Sequence, residues 1–200
     1  MTKKTLVSLS ISALFLLVSA LLFIQFLSYH EPMADQLSWR FDDPFYAWLP
    51  AKDMSIPIFS ITYGSLILFL VFEYSHPIKI SYGILAYAFL IILRMFTMTL
   101  VPLREPIDVV DLIDPFLNEL IYPSKIDSDL FFSGHTGLLL LLFFISKRAI
   151  FIVLACFLGI LLMIQRIHYS IDILGAIPFS FIAYKASKLT HRTTLYPNND

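Results

Sequence analysis

Apolar runs separated by short polar breaks divide this chain into six segments, roughly 5–28, 55–73, 79–101, 130–146, 149–166 and 168–187. A helix needs about 20 apolar residues to cross ~30 Å of hydrocarbon. The first three runs reach that length easily, and the last three are short or interrupted. The pattern predicts an all-α integral membrane protein, a six-transmembrane helix bundle built as one polytopic domain over residues 1–200. Two long loops remain, near 29–54 and 102–129. Pro102, Pro106, Pro115 and Pro123 predict that the second is structured without being one continuous helix. Lys3 and Lys4 precede the first run, as they would in a signal peptide. That run is too long for the usual apolar region of a signal peptide, and no small-x-small cleavage site follows, so it reads as a retained span.

Composition agrees with the pattern. The chain is 58% hydrophobic with a mean hydropathy of +0.78, far from the soluble globular range. A net charge of −1 gives no field that would draw nucleic acid. Cys156 is the single cysteine, which excludes an intramolecular disulfide, and it reads as membrane packing. No CxxC pair, metal-ligand spacing, glycine-rich nucleotide loop or internal repeat occurs, so neither a cofactor nor a metal is expected. Lys3, Lys4, Lys79, Lys147, Arg148, Lys185, Lys188 and Arg192 fall on one side of the six spans; Arg40, Lys52, Arg104, Lys125 and Arg166 fall on the other. The excess predicts both termini in the cytoplasm and both long, acid-rich loops outside.

Polar residues inside the spans then carry the functional question. The stretch "DSDLFFSGHTGLLLLLFF" places His135 just inside the fourth run. An imidazole in hydrocarbon is unfavourable without a partner or a task. "QRIHYSIDIL" places His168 and Asp172 four residues apart at the start of the sixth run, on one helical face. A carboxylate there can accept the Nδ1 hydrogen and leave Nε2 as a directed nucleophile or base. Arg94 lies about two turns from the outer end of the third run. All four project to one depth on the outer side.

Such a set supports phosphoryl transfer. One histidine attacks phosphorus while the other protonates the departing alkoxide, and arginine holds the non-bridging oxygens. "SGHT" at a helix start adds free backbone N–H groups, an anion site.

These residues resemble a known family. "SDLFFSGHT" followed by "HYSID" is similar to the sphingomyelin synthase branch of the type 2 phosphatidic acid phosphatase (PAP2) superfamily, which reads G-D-x3-S-G-H-T and then H-Y-[ST]-x-D. Asp129 matches the acidic residue six before His135, and Ser128 replaces the preceding glycine. "LRMFTMTLVPL" resembles the branch's R-x-x-T-M stretch, and "WLPAKDMSIPIF" loosely resembles its upstream loop. The resemblance covers roughly residues 40–185. The ordinary lipid phosphatase signature fits less well. No Arg-Pro occurs, and its S-R-x5-H-x3-D keeps only His168 and Asp172.

The resemblance implies His168 as nucleophile, Asp172 as its orienter and His135 as general acid and then base. It implies that Asp129 positions His135 or a headgroup. Arg94, Ser133, Gly134, Arg166 and Tyr169 stand as substrate-binding candidates. The implied activity moves phosphocholine or phosphoethanolamine from a phospholipid donor to a lipid-hydroxyl acceptor, ceramide or diacylglycerol. The bacterial cytoplasmic membrane is favoured over an organelle membrane.

Plainer readings stand beside these. A lone His135 would more often be a packing histidine. Arg94 is as readily a snorkelling interface residue. Arg166 and Tyr169 read most simply as interfacial anchors, and Thr97 as bonded to its own helix backbone. Asp108, Asp111, Asp114 and Glu119 read as a solvated loop face, one of which could meet a headgroup cation. Trp39, Tyr46 and Trp48 read as an interface belt, with a cation–π cage as the alternative. Two rival functions remain: a lipid phosphatase using water as acceptor, and a small transporter subunit, which would need polar groups through its depth.

Overall fold

The computed structural model describes residues 2–37, 39–114 and 131–195, with side chains left out for 31–37 and 194–195. Among them are six α-helices and no β-strand: α1 Lys3–Leu37, α2 Ser55–Glu73, α3 Pro77–Leu100, α4 Gly134–Ser146, α5 Ala149–Ile164 and α6 Ser170–Thr190. A 3₁₀ turn covers Pro44–Ala47, and a π-helical turn, His191–Leu195, follows α6. Three helices, α1 over Lys3–His30, α2 and α3, are long and apolar enough to cross a membrane.

Helix boundaries depart from the apolar runs where capping overrides composition. The helix expected from 130 starts at Gly134, because Phe132 takes a left-handed conformation (φ 50°) and Ser133 caps the new helix by accepting from the Thr136 N–H at 3.3 Å. At its other end Lys147 is left-handed (φ 60°) and its N–H closes on the Phe143 carbonyl at 2.8 Å. The chain therefore reverses at once into α5. Conversely α1 outruns its apolar stretch and runs on to Leu37.

α4 is the central element and packs against α2, α3, α5 and α6. That explains its composition: Leu138 to Leu142 are all buried, as a helix apolar on every side must be. Gly137 permits the close approach, since a Cβ there would lie 2.9 Å from Leu90 Cδ2 and 3.3 Å from Ser180 Oγ. At 13 residues α4 is about 20 Å long, shorter than the hydrocarbon it would have to cross. α1 packs on α3 through Thr5, Ser8, Ser12 and Ser19, while Leu14, Leu17 and Leu21 face outward. Large apolar side chains are exposed on α2 and α5 as well, including Ile67, Val71, Val153 and Phe157. Such a belt suits a lipid solvent. Cys156 is exposed on α5 and does not pack inside the bundle.

Buried ionisable groups collect at the two ends of this bundle. At one end Ser81 Oγ meets Ser8 Oγ at 2.8 Å, Ser12 Oγ at 2.9 Å and His191 Nε2 at 3.2 Å, tying α3 to α1 and to the turn after α6. The other end lies about 20 Å further along α3, at Arg94. There the loops 39–54 and 101–114 fold over the helix termini. Trp39 and Leu103 form a short parallel bridge, Lys52 N–H donates to Ile164 O and Val110 N–H to Gln165 O.

Candidate active site

The SGHT turn and the HYSID turn meet at this second end. Ser133 N–H donates to the Asp172 carbonyl at 3.0 Å. His135 occupies the first turn of α4, its ring edge-on to Phe59 at 5.7 Å. It lies within electrostatic range of His168, Arg94 and Asp114. Arg94 reaches across from α3, and its guanidinium fills the space where a side chain at Gly134 would begin. Phe23 of α1 and Phe132 face the same guanidinium at 5.8 and 5.9 Å. The absence of a Cβ at position 134 is what admits the cation to the start of α4, where unbonded N–H groups and the helix dipole favour an anion.

His168 and Asp172 form the expected pair. Nδ1 of His168 lies 3.4 Å from Asp172 Oδ2, which also accepts the Tyr169 N–H at 2.9 Å. Asp172 is fully buried, and its Oδ1 has no hydrogen-bond partner among the described residues. The His168–Asp172 contact is long for a charge-assisted bond.

The other candidates fall differently. Ser133 is buried and acts as the α4 cap. Arg166, itself left-handed (φ 60°), donates from Nη2 to the carbonyls of Tyr46 and Leu49 at 3.0 and 2.7 Å and stacks on the Tyr46 ring at 3.9 Å. It therefore clamps the 39–54 loop. Tyr169 is buried between Phe41 and Tyr46, each ring centroid 5.7 Å away. Buried in this way, Arg166 and Tyr169 are not the interfacial anchors of the plainer reading. Thr97 Oγ1 bonds to the carbonyls of Leu93 and Arg94 on its own helix. Asp129 lies outside the described residues.

Gln165, Asp53 and Asp43, which the sequence did not single out, matter here, and some loop residues that it did single out fall differently. Gln165 is fully buried; its Nε2 donates to the Val110 and Asp111 carbonyls at 3.1 and 2.9 Å, and its Oε1 accepts the Met54 N–H. It thereby ties both loops to the end of α5. Asp53, beside it, accepts the Ser55 N–H at 2.9 Å, which holds its carboxyl below the usual range. Asp43 is buried, accepting Phe45 N–H through Oδ1 and Ser170 N–H through Oδ2. Tyr46 is not a belt residue: its hydroxyl donates to the His168 carbonyl at 2.9 Å, and Arg166 occupies its ring face. Trp39 and Trp48 do stay exposed. Asp108 and Asp111 are exposed, whereas Asp114 is buried and accepts the Tyr63 hydroxyl at 2.6 Å. The signal that separates these acids is three-dimensional: Asp114 follows the stretch pinned by Gln165, with Ile113 N–H on Ser55 Oγ at 3.3 Å.

Among the described residues no three His, Cys, Asp or Glu side chains gather as metal ligands would. Compared with family models, curated proteins and solved structures, the chain finds no match in any of the three.

Proposed function

We propose that this protein is a six-span lipid phospho-headgroup transferase of the sphingomyelin synthase-like type, with both termini in the cytoplasm and its site on the outer side. The observation that carries the reading is the convergence of His168 with its Asp172 partner, His135 and Arg94 at one end of the bundle. Nε2 of His168 attacks the phosphorus of a glycerophospholipid. The bond from phosphorus to the diacylglycerol oxygen breaks, that oxygen takes a proton from His135, and the headgroup remains on His168 as a phosphohistidine. A lipid hydroxyl then gives its proton to His135 and attacks phosphorus, and the N–P bond breaks. Arg94 and the α4 N-terminus balance the charge on the non-bridging oxygens.

The length of α4 sets how deep the site lies in this reading. Its start lies about 10 Å short of a full crossing when Lys147 and Arg148 sit at the inner surface. His135 would then lie below the headgroup layer, under loops 39–54 and 101–114. A water-using phosphatase shares the first chemical step and differs only in the acceptor.

Purified protein given labelled phosphatidylcholine or phosphatidylethanolamine, with and without ceramide or diacylglycerol, tests this by mass spectrometry of all products. Headgroup on the second lipid supports the transferase. Free phospho-headgroup regardless of acceptor supports a hydrolase, inorganic phosphate released from added phosphatidic acid supports the phosphatase, and turnover of none of these lipids ends both readings. Labelling a cysteine placed at Ile107 from outside, but not one at Lys147, tests the orientation.

A further inference from the structure

His168 lies in the bend between α5 and α6, outside either helix. Its carbonyl accepts from Tyr46 Oη at 2.9 Å, across 122 residues of chain. Tyr46 is itself held from several directions. Asp43 caps the 3₁₀ turn that carries Tyr46 and also accepts the N–H of Ser170, the first residue of α6. Arg166 donates to the Tyr46 carbonyl and covers its ring, and Tyr169 packs against the same ring. Arg166 holds a left-handed backbone, which is strained outside glycine and persists where neighbours over-determine it. Burial, and then the Asp43 carboxylate, push the Tyr46 hydroxyl above its ordinary range, so it stays a donor.

Two contacts thus bear on His168. Asp172 sets the ring through Nδ1, and Tyr46 sets the main chain. We propose that Tyr46, braced by Asp43 and Arg166, is a positioning residue for His168 that places its imidazole for attack on phosphorus. The proposal rests on the reading of His168 as nucleophile given above. A displacement of about 1 Å at such a nucleophile can cost about 10²-fold in rate.

The test is single-turnover labelling of purified full-length protein with a ³²P-headgroup phospholipid in mixed micelles, quenched in alkali. In Tyr46→Phe the rate of phosphohistidine formation should fall about 10- to 100-fold. Its amplitude and the donor KM should match wild type. The same factor should appear on a p-nitrophenyl phosphodiester, because nucleophile placement matters whatever group leaves. A Tyr46 that only supports the fold would instead lower the amplitude and the unfolding temperature while the labelled fraction reacts at the normal rate. That result, or a wild-type rate, overturns the proposal. Arg166→Lys, which loses the fork and the stacking but keeps the charge, gives a second reading. It should slow labelling with amplitude retained, and normal labelling would count against the brace. A wild-type protein that turns over lipid without forming phosphohistidine removes the underlying reading as well, a result distinct from a wild type and Tyr46→Phe that label equally fast.

Discussion

The backbone N–H of Ser133 donates to the backbone carbonyl of Asp172 at 3.0 Å. This main-chain bond joins the turn before His135 to the first turn of the helix whose carboxylate faces His168. The rest of α4 and the whole of α5 lie between the two motifs in sequence. Because main chain holds them together, substitution of either imidazole leaves the junction in place, and kinetic defects in such variants report on chemistry.

Gly134→Ala should disable the anion site without unfolding the protein. A methyl group at 134 overlaps the Arg94 guanidinium, which is the far end of a flexible side chain and can swing away. The unfolding temperature should stay near wild type. Turnover should fall on the order of 10²–10³, the cost of losing one preorganised donor to a developing oxyanion. Full activity in Gly134→Ala would remove Arg94 from the site.

Asp114 offers a test of headgroup choice. It is the described loop acid that lies buried and within electrostatic range of His135, with Tyr63 on one oxygen. Asp114→Asn removes a charge that would attract choline or ethanolamine. Relative kcat/KM for phosphatidylcholine over phosphatidylglycerol should fall about tenfold, as expected for one lost interaction with a charged group. Equal loss on both donors would assign Asp114 to structure alone.

The contrast between legible and hidden residues has a physical origin. Arg94, His135, His168 and Asp172 stood out because ionisable groups in apolar runs are conspicuous, and the fold brings all four to one end. Asp43, Tyr46 and Asp114 sit in loops, where acids and aromatics are ordinary, and no linear pattern says which of them turn inward. Phe131 and Phe132 extended the fourth apolar run on paper, yet the left-handed Phe132 ends the loop and the helix starts at Gly134. The Ser8–Ser81–His191 cluster escaped for a different reason. Serines are unremarkable in apolar helices, and His191 lies beyond the last apolar run.

That cluster predicts a pH dependence of stability. Burial lowers the His191 pKa to about 4, against an ordinary value of about 6.5. The folded state therefore holds His191 neutral, and the unfolded chain binds its proton first as pH falls. The contribution is fully present above about pH 6.5, declines between about 6.5 and 4, and is flat below. In detergent, the drop in unfolding temperature between about pH 7.5 and about pH 5 should be larger for wild type than for His191→Gln, which has no titrating group. Equal drops would locate the acid sensitivity elsewhere.

The two histidines should fail differently. His168→Ala should abolish turnover and any covalent phosphoenzyme, because no other nucleophile is proposed for the phosphorus. Asp172→Asn should keep the Ser133 main-chain bond but cannot stabilise the imidazolium that develops as His168 attacks, and triad precedent puts such a loss near 10⁴. His135→Ala removes proton donation to the departing alkoxide, worth about 10²–10⁴-fold. That defect should shrink on a p-nitrophenyl phosphodiester carrying the same headgroup, whose leaving group needs no proton; the His168→Ala defect should not. Labelling with a ³²P-headgroup donor and an alkaline quench separates the roles. Label that persists in His168→Ala and vanishes in His135→Ala would exchange them, and turnover without label in the wild type would favour direct transfer between the two lipids.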